Sequence, residues 1–115
     1  MAVDVPTEYE EQIVVVQYLQ LKGHKHTAIP NSTYTPSFNQ KRKNKAMGLN
    51  AGLPDLFCLV NDIPVWIEMK RQKGGRLSDS QKSWIEALEQ SGQTVVVAKG
   101  AEEAINFIKT IEQEN

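Results

Sequence analysis

Two strand-like runs separated by a two-residue turn dominate the middle of this chain. Leu53 to Val60 is the first, Asn61-Asp62 is the turn, and Ile63 to Lys70 is the second. The second run alternates. Val65, Ile67 and Met69 face one way, and Trp66, Glu68 and Lys70 face the other, because successive side chains on a strand point to opposite sides. So short a turn makes the pair a hairpin. Any fold must be built around that hairpin, with one apolar face and one face carrying an acid and a lysine beside a tryptophan.

The flanking segments read mostly as helices. Thr7 can cap a first helix running to about Lys22, with apolar content from Val14, Val15, Tyr18, Leu19 and Leu21, and Gly23 as the stop. A short apolar patch around Ile29 suggests a strand entering Pro30. From Asn31 to Gly52 the chain is polar and basic, with Pro36, Gly48 and Gly52, and reads as an unusually long connection; such connections tend to be functional or disordered. After the turn Lys73-Gly74-Gly75-Arg76, Ser78 opens a helix with Gln81 three residues later, a capping-box pattern. Trp84, Ile85 and Leu88 form its expected buried stripe, and Gly92 ends it. Thr94 to Ala98 is a third strand. A last helix from about Ala101 is expected to bury Ala104, Ile105, Ile108 and Ile111. This order predicts an α/β domain with a mixed central β-sheet flanked by α-helices. At 115 residues the chain is read as one domain over 1–115.

Composition narrows the function classes. The balance of 40% hydrophobic and 23% charged residues is that of an ordinary globular protein. Cys58, the single cysteine, sits in the apolar run Leu56-Phe57-Cys58-Leu59-Val60 and reads as a buried, inert thiol. No run of eighteen apolar residues exists, and the first residues carry Asp4, Glu8, Glu10 and Glu11 rather than a basic leader, so a cytoplasmic protein without a membrane partner is expected. The net charge of −1 conceals an asymmetry. Residues 40–76 hold eight basic groups (Lys41, Arg42, Lys43, Lys45, Lys70, Arg71, Lys73, Arg76) against three acids, while the remainder holds five against eleven. Clustered charge creates the field a polyanion meets, so the middle of the chain is the candidate phosphate-binding region. A solvated basic loop has the same composition.

The chemistry lies in Gly52-Leu53-Pro54-Asp55 followed, twelve residues on, by Glu68-Met69-Lys70. The hairpin would set Asp55 close to Glu68 and Lys70 at one end of the sheet. Hard carboxylate oxygens bind Mg²⁺ or Mn²⁺, which keeps several waters and accepts a phosphate oxygen. The lysine can orient a water or neutralise a pentacoordinate phosphate. A Glu–Lys pair on an exposed strand face is by itself only a surface ion pair worth about 1 kcal/mol or less. Trp66 on the same face argues against full solvation, and a buried acid needs a partner or a metal.

With these residues in order, the sequence resembles the VRR-NUC nucleases of the PD-(D/E)xK restriction-endonuclease-like superfamily. The resemblance runs from Glu8-x-x-x-Gln12 through Ile29-Pro30-Asn31-Ser32, Ala51-Gly52-Leu53-Pro54-Asp55-Leu56 and Val65-Trp66-Ile67-Glu68-Met69-Lys70-Arg71. It continues through Gly75-Arg76-Leu77-Ser78-x-x-Gln81 to Gly92-x-x-Val95. It implies a restriction-endonuclease-like core and a divalent metal held by Asp55 and Glu68, with the main-chain carbonyl of Met69 as a further ligand. It also implies Lys70 as the catalytic lysine. A first-helix glutamate would complete the acidic cluster; the register favours Glu8, with Glu11 and Glu10 as alternatives. Gln81 would steady the lysine or the phosphate, or serve only the cap of Ser78.

The resemblance further implies an endonuclease acting on branched DNA such as four-way (Holliday) junctions. Paired cuts need two active sites, which a homodimer would supply. Lys41, Arg42, Lys43 and Lys45, with Arg71, Lys73 and Arg76, are the expected backbone contacts. Tyr34 or Phe38 could stack on an unpaired base or simply anchor the loop. The competing reading is a non-catalytic nucleic-acid-binding module that uses the basic 41–45 segment.

Overall fold

The computed structural model describes residues 4–30 and 35–114. Four helices and four strands follow in the order α1 (Glu8–Lys22), β1 (His26–Ala28), α2 (Phe38–Ala46), β2 (Leu56–Val60), β3 (Ile63–Lys70), α3 (Asp79–Gln90), β4 (Thr94–Lys99) and α4 (Ala101–Glu112). The strands form one sheet in the order β1-β2-β3-β4. β1/β2 and β2/β3 are antiparallel and β3/β4 is parallel, with α3 as the crossover, so the sheet is mixed. The hairpin is closed by Asn61 and Asp62, both at positive φ, which asparagine and aspartate tolerate better than other side-chain-bearing residues.

One face of the sheet makes the core. Leu56, Cys58 and Val60 of β2, Val65, Ile67 and Met69 of β3, and Ala98 of β4 are buried against Val15 and Leu19 of α1 and Ala101, Ala104, Ile108 and Ile111 of α4. α1 has its expected ends, and α4 begins at Ala101 as expected. Thr7 and Glu10 form a reciprocal capping box at α1, and Gly23 ends it in the left-handed conformation. Burial pushes the Cys58 thiol up to about 11, in keeping with an inert thiol. At the far end from the Thr7 cap, Glu112 accepts hydrogen bonds from Tyr18 Oη at 2.6 Å and lies 2.7 Å from His24 Nε2, tying α1 to α4. No helix among the described residues is long and apolar enough to cross a membrane.

The structure differs from the sequence expectations at four places. Residues 38–46, expected within a long connection, form α2. Ser37 caps it by accepting from Gln40 N, and a Gln40–Asn44 side-chain bond supports it, yet no residue of it is buried. A helix that buries nothing has no apolar periodicity to announce it. The β2 strand begins at Leu56 rather than Leu53, because Pro54 offers no N–H to a ladder and Gly52 turns the backbone. The strand near Ile29 lies just before it, at His26–Ala28. Finally, α3 has no buried residue, and Trp84 is 37% exposed: the helix lies over only part of the second sheet face.

Candidate active site

β3 outruns its neighbour. β2 starts opposite Ile67, so Glu68, Met69 and Lys70 extend beyond it while staying paired with Val97, Ala98 and Lys99 of β4. Asp55 fills the edge so exposed. Its Oδ2 accepts the Met69 N–H at 2.8 Å, and its own carbonyl accepts the Ile29 N–H at 2.8 Å. Within a strand the N–H and C=O of one residue point to the same neighbour. The Met69 carbonyl therefore faces the Asp55 edge, whereas the Lys70 carbonyl is used on the other side by Gly100 N.

Gly52 explains why Asp55 arrives there. At φ +113°, a Cβ on it would lie 2.6 Å from the Ser80 carbonyl oxygen and 2.8 Å from Trp84 Cδ1. Only glycine allows the backbone so close to the start of α3. The segment before β2 is thereby pressed against the helix that carries Gln81.

Glu68 and Lys70 project from the face opposite the core, 1% and 8% exposed. Lys70 Nζ donates to Gln81 Oε1 at 3.1 Å and lies 3.9 Å from Glu68 Oε2 and 3.8 Å from Glu8 Oε1. Gln81 Oε1 also accepts the Ser78 N–H at 2.9 Å, and its Nε2 donates to Glu68 Oε2 at 3.4 Å. The two roles considered for Gln81 are thus met together: one amide caps α3 and holds both the lysine and the glutamate. The remaining Glu68 oxygen, Oε1, is buried without a hydrogen-bond partner among the described residues. Burial, reinforced by Asp55 beside it and by Glu8 and only partly offset by Lys70, pushes the Glu68 carboxyl up to about 9.

The three glutamates of α1 separate cleanly. Glu8 faces Lys70. Glu10 is exposed and closes the Thr7 capping box. Glu11, 7% exposed, accepts from Ala101 N at 3.2 Å and Gln72 Nε2 at 3.1 Å, so it caps α4 and ties α1 to the loop after β3. Gly100 has no room for a side chain because a Cβ would strike the Glu11 carboxylate and Gln72 Cγ. Sequence reasoning did not find this anchor; the glycine directly before an apolar-striped helix was its one visible trace.

The basic residues are dispersed. Lys41, Arg42, Lys43 and Lys45 are exposed on α2, with Arg42 over the Phe38 ring. Lys73 and Arg76 are exposed on the loop after β3. Arg71 donates from Nη2 to the Val5 carbonyl and holds the segment before α1. No contact joins the α2 cations to the Asp55–Glu68–Lys70 cluster among the described residues. Tyr34, Asn31 and Ser32 lie outside the described residues.

The residues at the sheet end suit a divalent metal. A buried carboxylate oxygen with no donor, crowded by a second carboxylate, is short of positive charge. No preassembled cage of three His, Cys, Asp or Glu groups occurs among the described residues. That is the ordinary situation for Mg²⁺, which is held by one or two carboxylates and completes its shell with waters and substrate phosphates.

No curated protein matches the chain significantly. A solved structure described as a VRR_NUC domain protein is 28% identical, the likeness covering 95% of this chain and 90% of that one with a TM-score of 0.72. Residues 3–102 match the VRR-NUC domain. A match over most of the length, with the same fold, means that the chain belongs to the VRR-NUC domain family, a family of nucleases.

Proposed function

We propose that this protein is a Mg²⁺- or Mn²⁺-dependent endodeoxyribonuclease whose active site is Asp55, Glu68, Lys70, Glu8 and Gln81. The observation that carries the reading is the buried, donor-less Oε1 of a glutamate, Glu68, that has the Asp55 carboxylate beside it and Lys70 Nζ 3.9 Å from its other oxygen. Asp55, Glu68 and the Met69 carbonyl would hold the metal, with Glu8 at its outer side. A bound divalent ion would supply charge stabilisation at the phosphate and a more acidic water.

The chain's own groups divide the remaining work. Lys70, fixed by Gln81, keeps a positive charge at the mouth of the carboxylate cluster, where it can orient a water or offset charge gathering on phosphorus. Gln81 prevents Lys70 from collapsing onto Glu68, because its amide oxygen offers the ammonium a neutral acceptor while its nitrogen holds the glutamate. Asp55 is held by the Met69 N–H, so its Oδ2 position is set by backbone rather than by a flexible side chain.

For substrate and assembly, the proposal is a homodimer acting on branched DNA, four-way junctions included. One small site per chain, the cationic α2 and the family membership support it. Labelled linear, flap, splayed and four-way DNA incubated with Mg²⁺, Mn²⁺ or EDTA tests the activity, and sedimentation at micromolar concentration tests the assembly. Cleavage that persists in EDTA overturns the metal dependence, and absent cleavage of every DNA with metal overturns the nuclease assignment. A monomer cutting linear and branched DNA at equal rates overturns the junction preference alone.

A further inference from the structure

A groove of about 580 Å³ runs along α1 and opens directly onto the acidic cluster. Glu8 and Asp55 close one end; Tyr9, Ile13, Val16 and Gln17 line its length. These α1 residues recur at helical spacing, so they form one continuous stripe on the side of α1 away from the buried Val15 and Leu19. Tyr9 is 75% exposed and Ile13 39%, an unusual exposure for such side chains beside a cluster of carboxylates.

The chemistry of the lining selects its occupant. Among the described residues it contains no lysine or arginine, and its charges are the two carboxylates at the end, so nothing along it attracts a phosphate backbone. An aromatic ring, two aliphatic side chains and glutamine amides match a nucleobase: the ring and aliphatics meet its π-face and the amides its hydrogen-bonding edge. The volume falls within the range of small-ligand clefts and exceeds what a single base needs. The groove also ends where the scissile phosphate must sit if Asp55 and Glu68 hold the metal. A base still paired in a duplex cannot enter, since its edge is engaged and its faces are stacked.

We propose that the α1 groove is a subsite for an unpaired nucleobase, that of the nucleotide adjoining the scissile phosphate, stacked on Tyr9. This rests on the nuclease reading above and deepens it: the substrate class becomes DNA with unpaired nucleotides at the cleavage point, as at splayed arms, flaps and opened junctions. Selectivity then comes from whether a base is free to leave its stack, and not from reading sequence.

The test places 2-aminopurine at each nucleotide around the mapped cut in splayed-arm DNA and in the matched full duplex. Binding to the Lys70→Ala protein in Mg²⁺ is followed by fluorescence. Stacking quenches the probe at the nucleotide beside the cut in the splayed DNA and not in the duplex. Tyr9→Ala abolishes that quenching and, in the otherwise native protein, lowers cleavage of subsaturating splayed DNA about tenfold, the scale of one lost base–aromatic stack. Tyr9→Phe keeps both. Unchanged quenching and rate in Tyr9→Ala overturn the subsite. So does a Tyr9→Ala protein that retains quenching but sediments as a smaller species, which assigns the stripe to a second copy of the chain. If native protein cleaves no DNA, the probe is instead scanned through every nucleotide about the branch point: Tyr9-dependent quenching at an unpaired position there fails the nuclease reading and leaves an unpaired-base subsite, and its absence overturns both.

Discussion

Replacing Glu68 by glutamine separates what the site costs the fold from what it contributes to chemistry. The side chain is 1% exposed, one oxygen lacks a donor, and Asp55 and Glu8 add negative charge around it. In metal-free protein its carboxyl is pushed up to about 9, against 4.5 for the ordinary group. Between those values the native state holds a proton that the unfolded chain has released. Stability is therefore complete below the lower value and is lost as pH rises toward the upper one, by at most about 1.4 kcal/mol per pH unit. For a domain of this size that is about 5 °C of melting temperature per unit. Glu68→Gln has the same shape and no charge, so its metal-free melting temperature should lack this descent. By pH 8 it should exceed the native protein's, while cleavage falls by at least ~10²-fold. Thermal melts in EDTA from pH 5 to 9 measure this. The difference between the two proteins isolates residue 68 from other titrating groups. Adding Mg²⁺ should then raise the native protein's melting temperature and leave the variant's unchanged. Parallel pH profiles, or a variant less stable than the native protein at pH 8, would refute the argument that Glu68 is short of positive charge.

Other perturbations probe separate parts of the site. Lys70→Ala and Asp55→Asn should each lower cleavage by at least ~10²-fold in folded protein. In calorimetry, Asp55→Asn should weaken Mn²⁺ binding and Lys70→Ala should not; full turnover by folded Lys70→Ala would remove the lysine from the mechanism. Changing Lys41, Arg42, Lys43 and Lys45 together to alanine should flatten the salt dependence of DNA binding by up to about four units of slope. Because α2 buries nothing, unfolding should shift little, and an unchanged slope would mean that the helix points away from DNA. Gly52→Ala should cost at least about 2 kcal/mol in urea unfolding, from strain at φ +113° and the clash with Ser80. It should also lower activity by displacing Asp55; native stability would mean that the α3 contact yields easily.

How much of this was legible beforehand follows from the kind of signal each element carries. The hairpin, β3 above all, was readable because alternation along a strand is written residue by residue, and the faces of Val65–Lys70 stand as that alternation requires. The ends of α1 were readable because capping is local chemistry between Thr7 and the residues just after it. The buried stripe of α4 was readable for the same reason of period. The α2 helix was not, since a helix without an apolar stripe leaves no periodic trace. Nor was the exposure of Trp84, because a stripe shows which side of a helix is apolar but not whether a sheet strand lies beneath it.

The site divides in the same way. Its residue types and order, Asp55, then Glu68 and Lys70, were determined by the sequence alone. Which α1 glutamate meets Lys70 was a tertiary matter: Glu8, Glu10 and Glu11 lie within one turn of one helix, and only the packing of α1 against α4 and the β3 end sends Glu8 to the lysine and Glu11 to the Ala101 N–H. The double service of Gln81 and the donor-less oxygen of Glu68 are likewise properties of burial, which depends on contacts among segments far apart in the chain.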